Sequence, residues 1–300
     1  MIPRCRLCPR NCGVPRGDRG EGVCRSGEKA RVARAALHFW EEPPISGKAG
    51  SGAVFFTGCS LGCVYCQNYE ISAGENRGRE VTPEELSALF QNLVDQGAQN
   101  INLVTAGHFL PQVRQALLLR KLPVPVVYNS SGYEKREAVR SLRGLADIYL
   151  PDLKYGEEAL ARDLSRAPDY VDTALAAIGE MVEQAGPPQY DGEGRMVKGV
   201  LIRHLVLPGH TRNSMAVLRL IRQRFPGIPV SLMAQYTPWG LAAQPGGVPG
   251  YPELSRSLTR REWDKVQEEL FSLGLEGFVQ SRKAKGSQYI PDFHQFDGPR

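Results

Sequence analysis

Residues 53–66 read AVFFTGCSLGCVYC, an apolar run followed closely by three cysteines. The run at 53–57 is rich in aromatic and β-branched residues, which predicts a buried β-strand. Cys59, Cys63 and Cys66 then follow that strand with C-x3-C-x2-C spacing. A cubane iron–sulfur cluster is ordinarily held by four cysteine thiolates, so three would leave one iron open. An open position is typical of a catalytic metal site, whereas the alternative, a structural zinc site, would need a fourth ligand.

Short apolar runs of the same kind recur along the chain. Six of them are predicted strands, at residues 53–57, 101–105, 124–128, 147–150, 200–206 and 229–233. Helical periodicity marks stretches between and after them, at residues 82–96, 111–121, 134–143, 169–184, 211–225 and 260–273. Strands that alternate with helices indicate a parallel sheet with helical crossovers. Six units predict an α/β fold of the partial (β/α)6 TIM-like barrel type, because the eight needed for closure are not visible.

Composition places the chain among ordinary globular proteins. Its 300 residues suffice for one large barrel-type domain with an appendage, and 42% hydrophobic with 23% charged residues excludes a disordered or fibrous chain. We interpret the net charge of +5 as modest and spread along the chain, so we expect no nucleic-acid partner. No apolar run approaches a membrane span, and residues 1–4 lead into cysteines rather than a signal peptide, so we expect a cytoplasmic protein without a membrane partner.

All seven cysteines fall into two tight groups, and in a reducing compartment such groups bind metal more often than they form disulfides. The second group precedes the barrel and offers four metal ligands: Cys5, Cys8, Cys12 and Cys24. Zinc and an auxiliary iron–sulfur cluster both fit four thiolates, although the spacing lacks the paired C-x2-C hooks of many zinc sites and slightly favours iron–sulfur. Arg4, Arg6 and Arg10 lie beside these cysteines and would offset the negative charge of either site.

Three parts are predicted along the chain. Residues 1–48 are rich in Gly, Pro and Arg and lack helical periodicity, which is typical of a small extension organised by a metal. Residues 49–285 are the predicted barrel. Residues 286–300 show no amphipathic pattern and are predicted to be a C-terminal tail.

The cysteine loop resembles that of a known family. Tyr65 places an aromatic side chain directly before the third cysteine, and C-x3-C-x2-C after the first strand of a partial barrel is similar to the radical S-adenosylmethionine (SAM) superfamily. The resemblance implies that Cys59, Cys63 and Cys66 ligate a catalytic [4Fe-4S] cluster whose open iron binds SAM, with Tyr65 helping to shape the SAM site. It also implies reductive cleavage of SAM to methionine and a 5′-deoxyadenosyl radical, which abstracts hydrogen from a substrate.

Seven segments that together cover nearly the whole chain resemble one branch of this superfamily, the proteins similar to pyruvate formate-lyase-activating enzyme. They are residues 5–16, 41–72, 100–111, 126–134, 147–155, 202–210 and 232–238. This branch implies an oxidoreductase that abstracts hydrogen from a glycine Cα of a partner glycyl radical enzyme and takes electrons from a donor such as flavodoxin or ferredoxin. Two alternatives stay open. One is a radical SAM enzyme that modifies a small molecule, lipid or other peptide, and the other is a non-catalytic, metal-stabilised binding protein.

The resemblance also assigns side chains to the SAM site. Asp152 and Lys154 match a D-L-K motif that places an acid and a lysine near the methionine part of SAM, and Lys154 joins the cysteines as a candidate catalytic residue. The alternative for this pair is a surface ion pair. Arg203, inside an apolar strand, is similar to an arginine close to SAM. A lone interior charge needs a partner, which is either the SAM carboxylate or a buried structural carboxylate.

Further candidates follow the second and third predicted strands. The sequence VTAGH stands where many superfamily members have a G-G-E motif, so Thr105 and His108 are candidates for contacts with the amino group of SAM. Asn129, Ser130 and Ser131 come where family members contact ribose or methionine, and the alternative is that they cap the next helix. Three histidines have no spacing that demands a metal and are expected to be ordinary hydrogen-bonded or surface residues: His204, His210 and His294.

Overall fold

A sheet of short buried strands forms the centre of the fold. The computed structural model describes residues 4–17, 20–73, 78–279 and Phe293, and all of the following strands and helices lie within those ranges. The strands are β1 (Ala30–His38), β2 (Ser51–Phe56), β3 (Arg79–Val81), β4 (Ile101–Val104), β5 (Val126–Ser130), β6 (Ile148–Pro151), β7 (Gln189–Tyr190), β8 (Met196–Val200), β9 (Ile202–Leu205), β10 (Val230–Met233) and β11 (Gly277–Val279). The α-helices are α1 (Pro43–Ser46), α2 (Tyr69–Ser72), α3 (Pro83–Asp95), α4 (Leu110–Leu119), α5 (Arg136–Arg140), α6 (Glu158–Ser165), α7 (Tyr170–Ala185), α8 (Thr211–Arg224) and α9 (Arg260–Ser272).

Parallel pairing runs through most of the sheet. Eight strands pair in the order β3-β1-β2-β4-β5-β6-β8-β7, and a second sheet has the order β11-β10-β9. The two sheets meet where Asp152 and Arg203 form a parallel bridge and the amide of Leu153 donates to the carbonyl of Arg203 at 2.9 Å. From β2 to β10 every neighbouring pair in this run is parallel. The predicted partial (β/α)6 barrel is therefore confirmed, and the predicted strand at residues 200–206 covers all of β9 and only the last residue of β8.

Four strands lie outside the predicted six. β1 lies between β3 and β2 and is antiparallel to both, β7 is antiparallel to β8, and β11 is parallel to β10. The region 1–48 therefore contributes a strand to the barrel sheet, and the division of the chain after residue 48 stays a prediction. Of the predicted tail at 286–300, Phe293 alone lies within the described residues. Its ring packs edge-on against Phe55 with 5.6 Å between the ring centroids.

Helix α3 shows how local sequence sets an element. Thr82 accepts a hydrogen bond from the amide of Glu85 at 3.2 Å, and the Glu85 carboxylate accepts one from the amide of Thr82 at 2.8 Å, which forms a capping box.

Helix α6 lies outside the predicted helices because its eight residues are fewer than the window over which helical periodicity shows. None of the described helices is long and apolar enough to cross a membrane.

The segment between β1 and β2 enters the barrel. Ile45, on α1, is fully buried and clusters with Val127, Ile148 and Leu150 from β5 and β6. Side chains alternate along a strand, so Val127 and Asn129 point to the same face, with Asn129 nearer the carboxyl end. This segment therefore fills the barrel at the amino ends of the strands and leaves the carboxyl ends free to line a cleft.

Candidate active site

A cleft of about 220 Å³ opens at the carboxyl ends of the strands. Nearly all of the side chains that the sequence assigns to the SAM site line it. They are Cys59, Cys63, Tyr65, Cys66, Thr105, Asn129, Ser130, Ser131, Asp152, Lys154 and Arg203. These residues come from loops or strand ends spread over about half of the chain, and parallel pairing brings them to one rim.

The three cysteines of the loop present free thiols to this cleft. Burial, and then the neighbouring Cys63, raise the pKa of the Cys66 thiol to about 12, and burial also raises the pKa of Cys59. Cys59 and Cys66 are therefore neutral thiols at pH 7, and binding of iron to them must release protons. Among the described residues, no group of three or more His, Cys, Asp or Glu side chains lies close enough together to hold a single metal ion. Three thiols on one shared cleft fit a polynuclear cluster, which spaces its ligands more widely than one ion does.

A buried network of charges lies across the cleft from β5 to β9. Arg203 donates to Asp152 Oδ1 at 2.9 Å, to Asn129 Oδ1 at 2.6 Å and to Glu41 Oε2 at 3.4 Å. Lys154 Nζ donates to Asp152 Oδ2 at 2.5 Å. The charged side chains are only 12–19% exposed, so Asp152 and Lys154 are not a surface ion pair. Asp152 and Glu41 are the carboxylates that Arg203 contacts directly.

The ionisation of this network follows from its geometry. Burial alone would raise the pKa of Asp152, but the Arg203 guanidinium and then the Lys154 ammonium overcome that effect and lower it. Burial likewise opposes the charged form of Lys154, and the Asp152 carboxylate reverses this and raises the pKa of Lys154. Both groups are therefore charged at pH 7. Two cations and two carboxylates balance each other beside the cysteine loop, which suits a ligand that itself carries both signs of charge.

Thr105 stands in an unusual backbone conformation at the end of β4. Its φ is +58°, in the left-handed region that β-branched residues rarely adopt, and its amide donates to the carbonyl of Asn129 at 2.9 Å. Strain of this kind costs about 1–3 kcal/mol and persists where the surroundings hold it. The structure thus places Thr105 on the cleft with its backbone fixed against β5.

His108 is the one predicted SAM contact that the structure does not bring to the cleft. It lies on a 3₁₀ turn, Gly107–Phe109, that directs it toward the N-terminal cysteines instead. Its Nε2 bonds to the carbonyl of Thr57 at 2.8 Å, and burial lowers its pKa to about 4, so the ring is neutral. Of the other histidines, His204 bonds to Leu153 and Ser214, His210 pairs with Glu253, and His294 lies outside the described residues.

The four N-terminal cysteines line one small cavity of their own. Arg16 reaches into this cavity and is only 2% exposed. Its guanidinium donates to the carbonyls of Ser26 and His108, and its Nη2 has no partner among the described residues. The guanidinium also lies over the ring of Phe109, but a buried cation with only carbonyl oxygens and an aromatic ring as partners is costly unless an anion lies nearby. Four thiolates around zinc or around an oxidised [4Fe-4S] core form a dianion, so the cavity fits either group.

The two cysteine groups touch. Gly58, directly before Cys59, has φ +89°, and a Cβ there would overlap the carbonyl oxygen of Cys24 and lie 2.8 Å from Ser26 Oγ. Arg10 crosses the same boundary, since it donates to the carbonyls of Ser60 at 2.6 Å and Leu61 at 3.2 Å. The N-terminal segment therefore packs directly on the loop that carries the cleft thiols.

Sequence reasoning missed several of these contacts. Glu41 lies within a segment that resembles the branch, yet no local pattern shows that its carboxylate reaches Arg203. Ser72 and Ser165 donate to cysteine sulfurs, at 3.2 Å to Cys66 and 2.9 Å to Cys63, and Ser165 follows Cys63 by 102 residues. The contacts of Glu41 and Ser165 span more than 100 residues and leave no signal in a single sequence.

Comparison with known proteins agrees with the architecture. The sequence pattern of the Radical SAM superfamily matches residues 53–221, which is more than half of the chain. The chain therefore belongs to the radical SAM superfamily, whose members bind a [4Fe-4S] cluster and SAM and cleave SAM reductively.

The relatives found by sequence and by structure are distant. Uncharacterized protein MJ0674 of Methanocaldococcus jannaschii is 29% identical over 287 residues, which cover 92% of this chain and 77% of that protein. A domain of pyruvate-formate lyase-activating enzyme from Bacteroides vulgatus is similar with a TM-score of 0.37 and 14% identity over 66% of this chain and 91% of that one. HydG, a maturase of the [FeFe]-hydrogenase, has a TM-score of 0.43 and 14% identity over 74% of this chain and 53% of that one.

The contact at Gly58 yields a prediction about the N-terminal segment. Gly58→Ala should lower the free energy of unfolding by about 3 kcal/mol or more, because a left-handed alanine is strained and its methyl group also displaces Cys24. Gly62→Ala is the matched control, since φ is +73° there but nothing lies within 4 Å of the new methyl group, and it should cost about 1 kcal/mol. Urea denaturation measures both, and equal losses would contradict the close approach.

Proposed function

We propose that this protein holds a [4Fe-4S] cluster through Cys59, Cys63 and Cys66 and uses it with SAM to start radical chemistry on a substrate in the cleft. The observation that carries the proposal is that three free thiols and a buried network of paired charges line the same cleft. When bound, the cluster and SAM supply the one-electron chemistry that yields methionine and a 5′-deoxyadenosyl radical.

The charged side chains of the cleft have a defined part in this proposal. The methionine portion of SAM carries an ammonium and a carboxylate, and the network offers both signs of charge at low exposure. Lys154 and Arg203 are cations for the carboxylate, and Asp152 and Glu41 are acceptors for the ammonium. Because all four side chains are already paired with one another, they are positioned before the ligand arrives, which lowers the cost of ordering them.

A glycine Cα–H in a partner glycyl radical enzyme is the substrate that we propose. The seven segments that resemble the activating-enzyme branch support it, and so does the rim of the cleft. Trp40 lines the cleft and is 58% exposed, and the adjacent Phe39 is 49% exposed. Exposed aromatic side chains are enriched where proteins bind one another, so this rim suits a loop of a protein partner better than a small polar molecule.

The N-terminal cavity is proposed to hold an auxiliary iron–sulfur cluster. The buried Arg16, with an Nη2 that lacks a partner among the described residues, supports an anionic occupant. The cysteine spacing, which lacks the paired C-x2-C hooks of many zinc sites, favours a cluster over zinc. The contact of this cavity with Gly58 and the cysteine loop supports a role in electron supply rather than a purely structural one.

The electron donor is proposed to dock on this N-terminal face. Residues 1–36 carry nine basic and three acidic side chains, whereas the other residues carry 28 basic and 29 acidic ones. The net positive charge therefore lies in this segment and is not spread along the chain as we had interpreted it, and the basic side chains exposed there are Arg4, Arg6, Arg25 and Lys29. A concentrated basic surface attracts an acidic protein and speeds its association, so an acidic flavodoxin or ferredoxin fits this face.

The catalytic proposal predicts how the cysteines affect activity. Anaerobically reconstituted protein reduced with dithionite should convert SAM to 5′-deoxyadenosine and methionine, and Cys59→Ala should lower this rate at least about 100-fold, because one cluster ligand is lost. Cys12→Ala should keep the iron of the cleft and lose iron from the N-terminal cavity. Product chromatography and iron analysis give both readouts, and unchanged iron in Cys59→Ala would contradict the assignment.

The substrate is tested by mixing. A glycyl radical enzyme from the same organism, incubated with the reduced protein and SAM, should develop the doublet electron paramagnetic resonance signal of a glycyl radical. Replacing its target glycine by alanine should abolish the signal. SAM cleavage without any radical in the partner would instead support a small molecule, lipid or other peptide as the substrate.

The docking proposal predicts a charge-dependent KM. Reversal of two exposed arginines, Arg4→Glu with Arg6→Glu, should raise the KM for an acidic flavodoxin about tenfold at low salt, and the difference should shrink at high salt. The matched control reverses Arg260 and Arg261, two exposed arginines on α9, and should leave the KM unchanged. Dithionite-driven activity should be equal in all variants. An equal effect of both reversals would contradict docking at the N-terminal face.

A further inference from the structure

Each of the three cleft thiols accepts a hydrogen bond from a nearby group, and the donors differ. The amide of Leu61 donates to Cys59 at 3.4 Å, the hydroxyl of Ser72 donates to Cys66 at 3.2 Å, and the hydroxyl of Ser165 donates to Cys63 at 2.9 Å. The shortest of the three therefore comes from Ser165, the last residue of α6, whose side chain is fully buried.

Two buried tyrosines continue from Ser165 in a single line of hydroxyl groups. The Tyr155 hydroxyl lies 2.6 Å from Ser165 Oγ, and the Tyr65 hydroxyl lies 2.8 Å from that of Tyr155. Tyr155 is fully buried and Tyr65 is 7% exposed. Arg10 holds the backbone of Ser165 in place by donating to its carbonyl oxygen at 2.9 Å.

The direction of the hydrogen bonds follows from the chemistry at the sulfur end. Cys63 as a metal ligand is a thiolate, which can only accept. Ser165 must then use its proton for Cys63, so it accepts from Tyr155. Tyr155 in turn accepts from Tyr65. The three hydroxyl dipoles therefore all point toward one sulfur, and each bond polarises the next.

We propose that Ser165 is a positioning residue that tunes the cleft cluster: its hydroxyl, oriented by Tyr155 and Tyr65, raises the reduction potential of the cluster by stabilising the extra negative charge at Cys63. The inference rests on the proposed function. Reduction adds one electron and neither forms nor breaks a bond at Cys63, while charge on the ligand sulfurs increases. A donor to such a sulfur is bound more strongly in the reduced state, and hydrogen bonds to ligand sulfurs are known to set cluster potentials.

A purely structural role for these hydroxyls predicts a different result. Buried hydroxyls normally find partners, and the three could simply satisfy one another. In that case their loss would lower stability and leave the potential of the cluster where it was. The reduction potential therefore separates the two roles.

The experiment is a redox titration of the reconstituted protein, monitored by electron paramagnetic resonance. It uses the full chain with the four N-terminal cysteines replaced by alanine, so that the signal comes from the cleft cluster. Ser165→Ala should lower the equilibrium constant for one-electron reduction about tenfold, which is about 59 mV toward more negative potential. Tyr155→Phe should shift it in the same direction by less, because Ser165 then loses its orientation and keeps its proton. The double variant should match Ser165→Ala alone, since Tyr155 acts through Ser165.

Matched controls lie elsewhere in the core. Ser214 is as fully buried as Ser165 and bonds to His204 Nε2 at 2.9 Å, so Ser214→Ala removes a comparable hydroxyl whose partner is a histidine and not a cysteine. Tyr149 is fully buried and donates to Gln184 at 2.8 Å, so Tyr149→Phe serves the same purpose for Tyr155. Neither should move the potential.

The possible outcomes separate this inference from the proposed function. A Ser165→Ala potential equal to that of Ser214→Ala overturns the inference, and additive shifts in the double variant overturn the role of Tyr155. If Ser165→Ala does not assemble a cluster, the shift in Tyr155→Phe relative to Tyr149→Phe decides. If the protein with all three cleft cysteines binds no cluster, the proposed function fails and the inference fails with it.

Discussion

Parallel pairing brings the carboxyl ends of the barrel strands to one rim, and most side chains of the cleft depend on that constraint. β2 leads directly into the cysteine loop, Asp152 follows β6, and Arg203 lies on β9. The parallel bridge between Asp152 and Arg203 sets these two side chains 2.9 Å apart. A shift of one residue in this register would turn Arg203 to the other face, where apolar side chains pack against helices.

The N-terminal segment completes the barrel rather than simply preceding it. β1 pairs along β2, Ile45 fills the barrel interior, and Glu41 joins the charge network. Arg10 and Gly58 then join the four-cysteine cavity to the loop that carries the cleft thiols. A partial barrel has an open side, and in this protein one continuous segment closes part of it, positions a carboxylate and brings a second group of thiols beside the first.

The sequence was sufficient for the barrel and for the rim of the cleft. Buried parallel strands are nearly continuous apolar runs, and the six predicted ones all form. β1 was missed because two arginines and several alanines interrupt its apolar character. His108 was misplaced because a 3₁₀ turn, which spacing does not show, directs it away from the cleft. Glu41 and Ser165 act across more than 100 residues of sequence, and only the folded chain reveals their partners.

The chemistry of the cleft depends on three protein thiolates, and no fourth side chain, holding iron at the mouth of the barrel. The most direct measurement is a crystal structure of the anaerobically reconstituted protein with anomalous data at the iron edge. We expect a cubane of iron bonded to Cys59, Cys63 and Cys66, with one iron free of any protein ligand and facing Asp152, Lys154 and Arg203. A single zinc ion at these cysteines, or a protein side chain on the fourth iron, would contradict it.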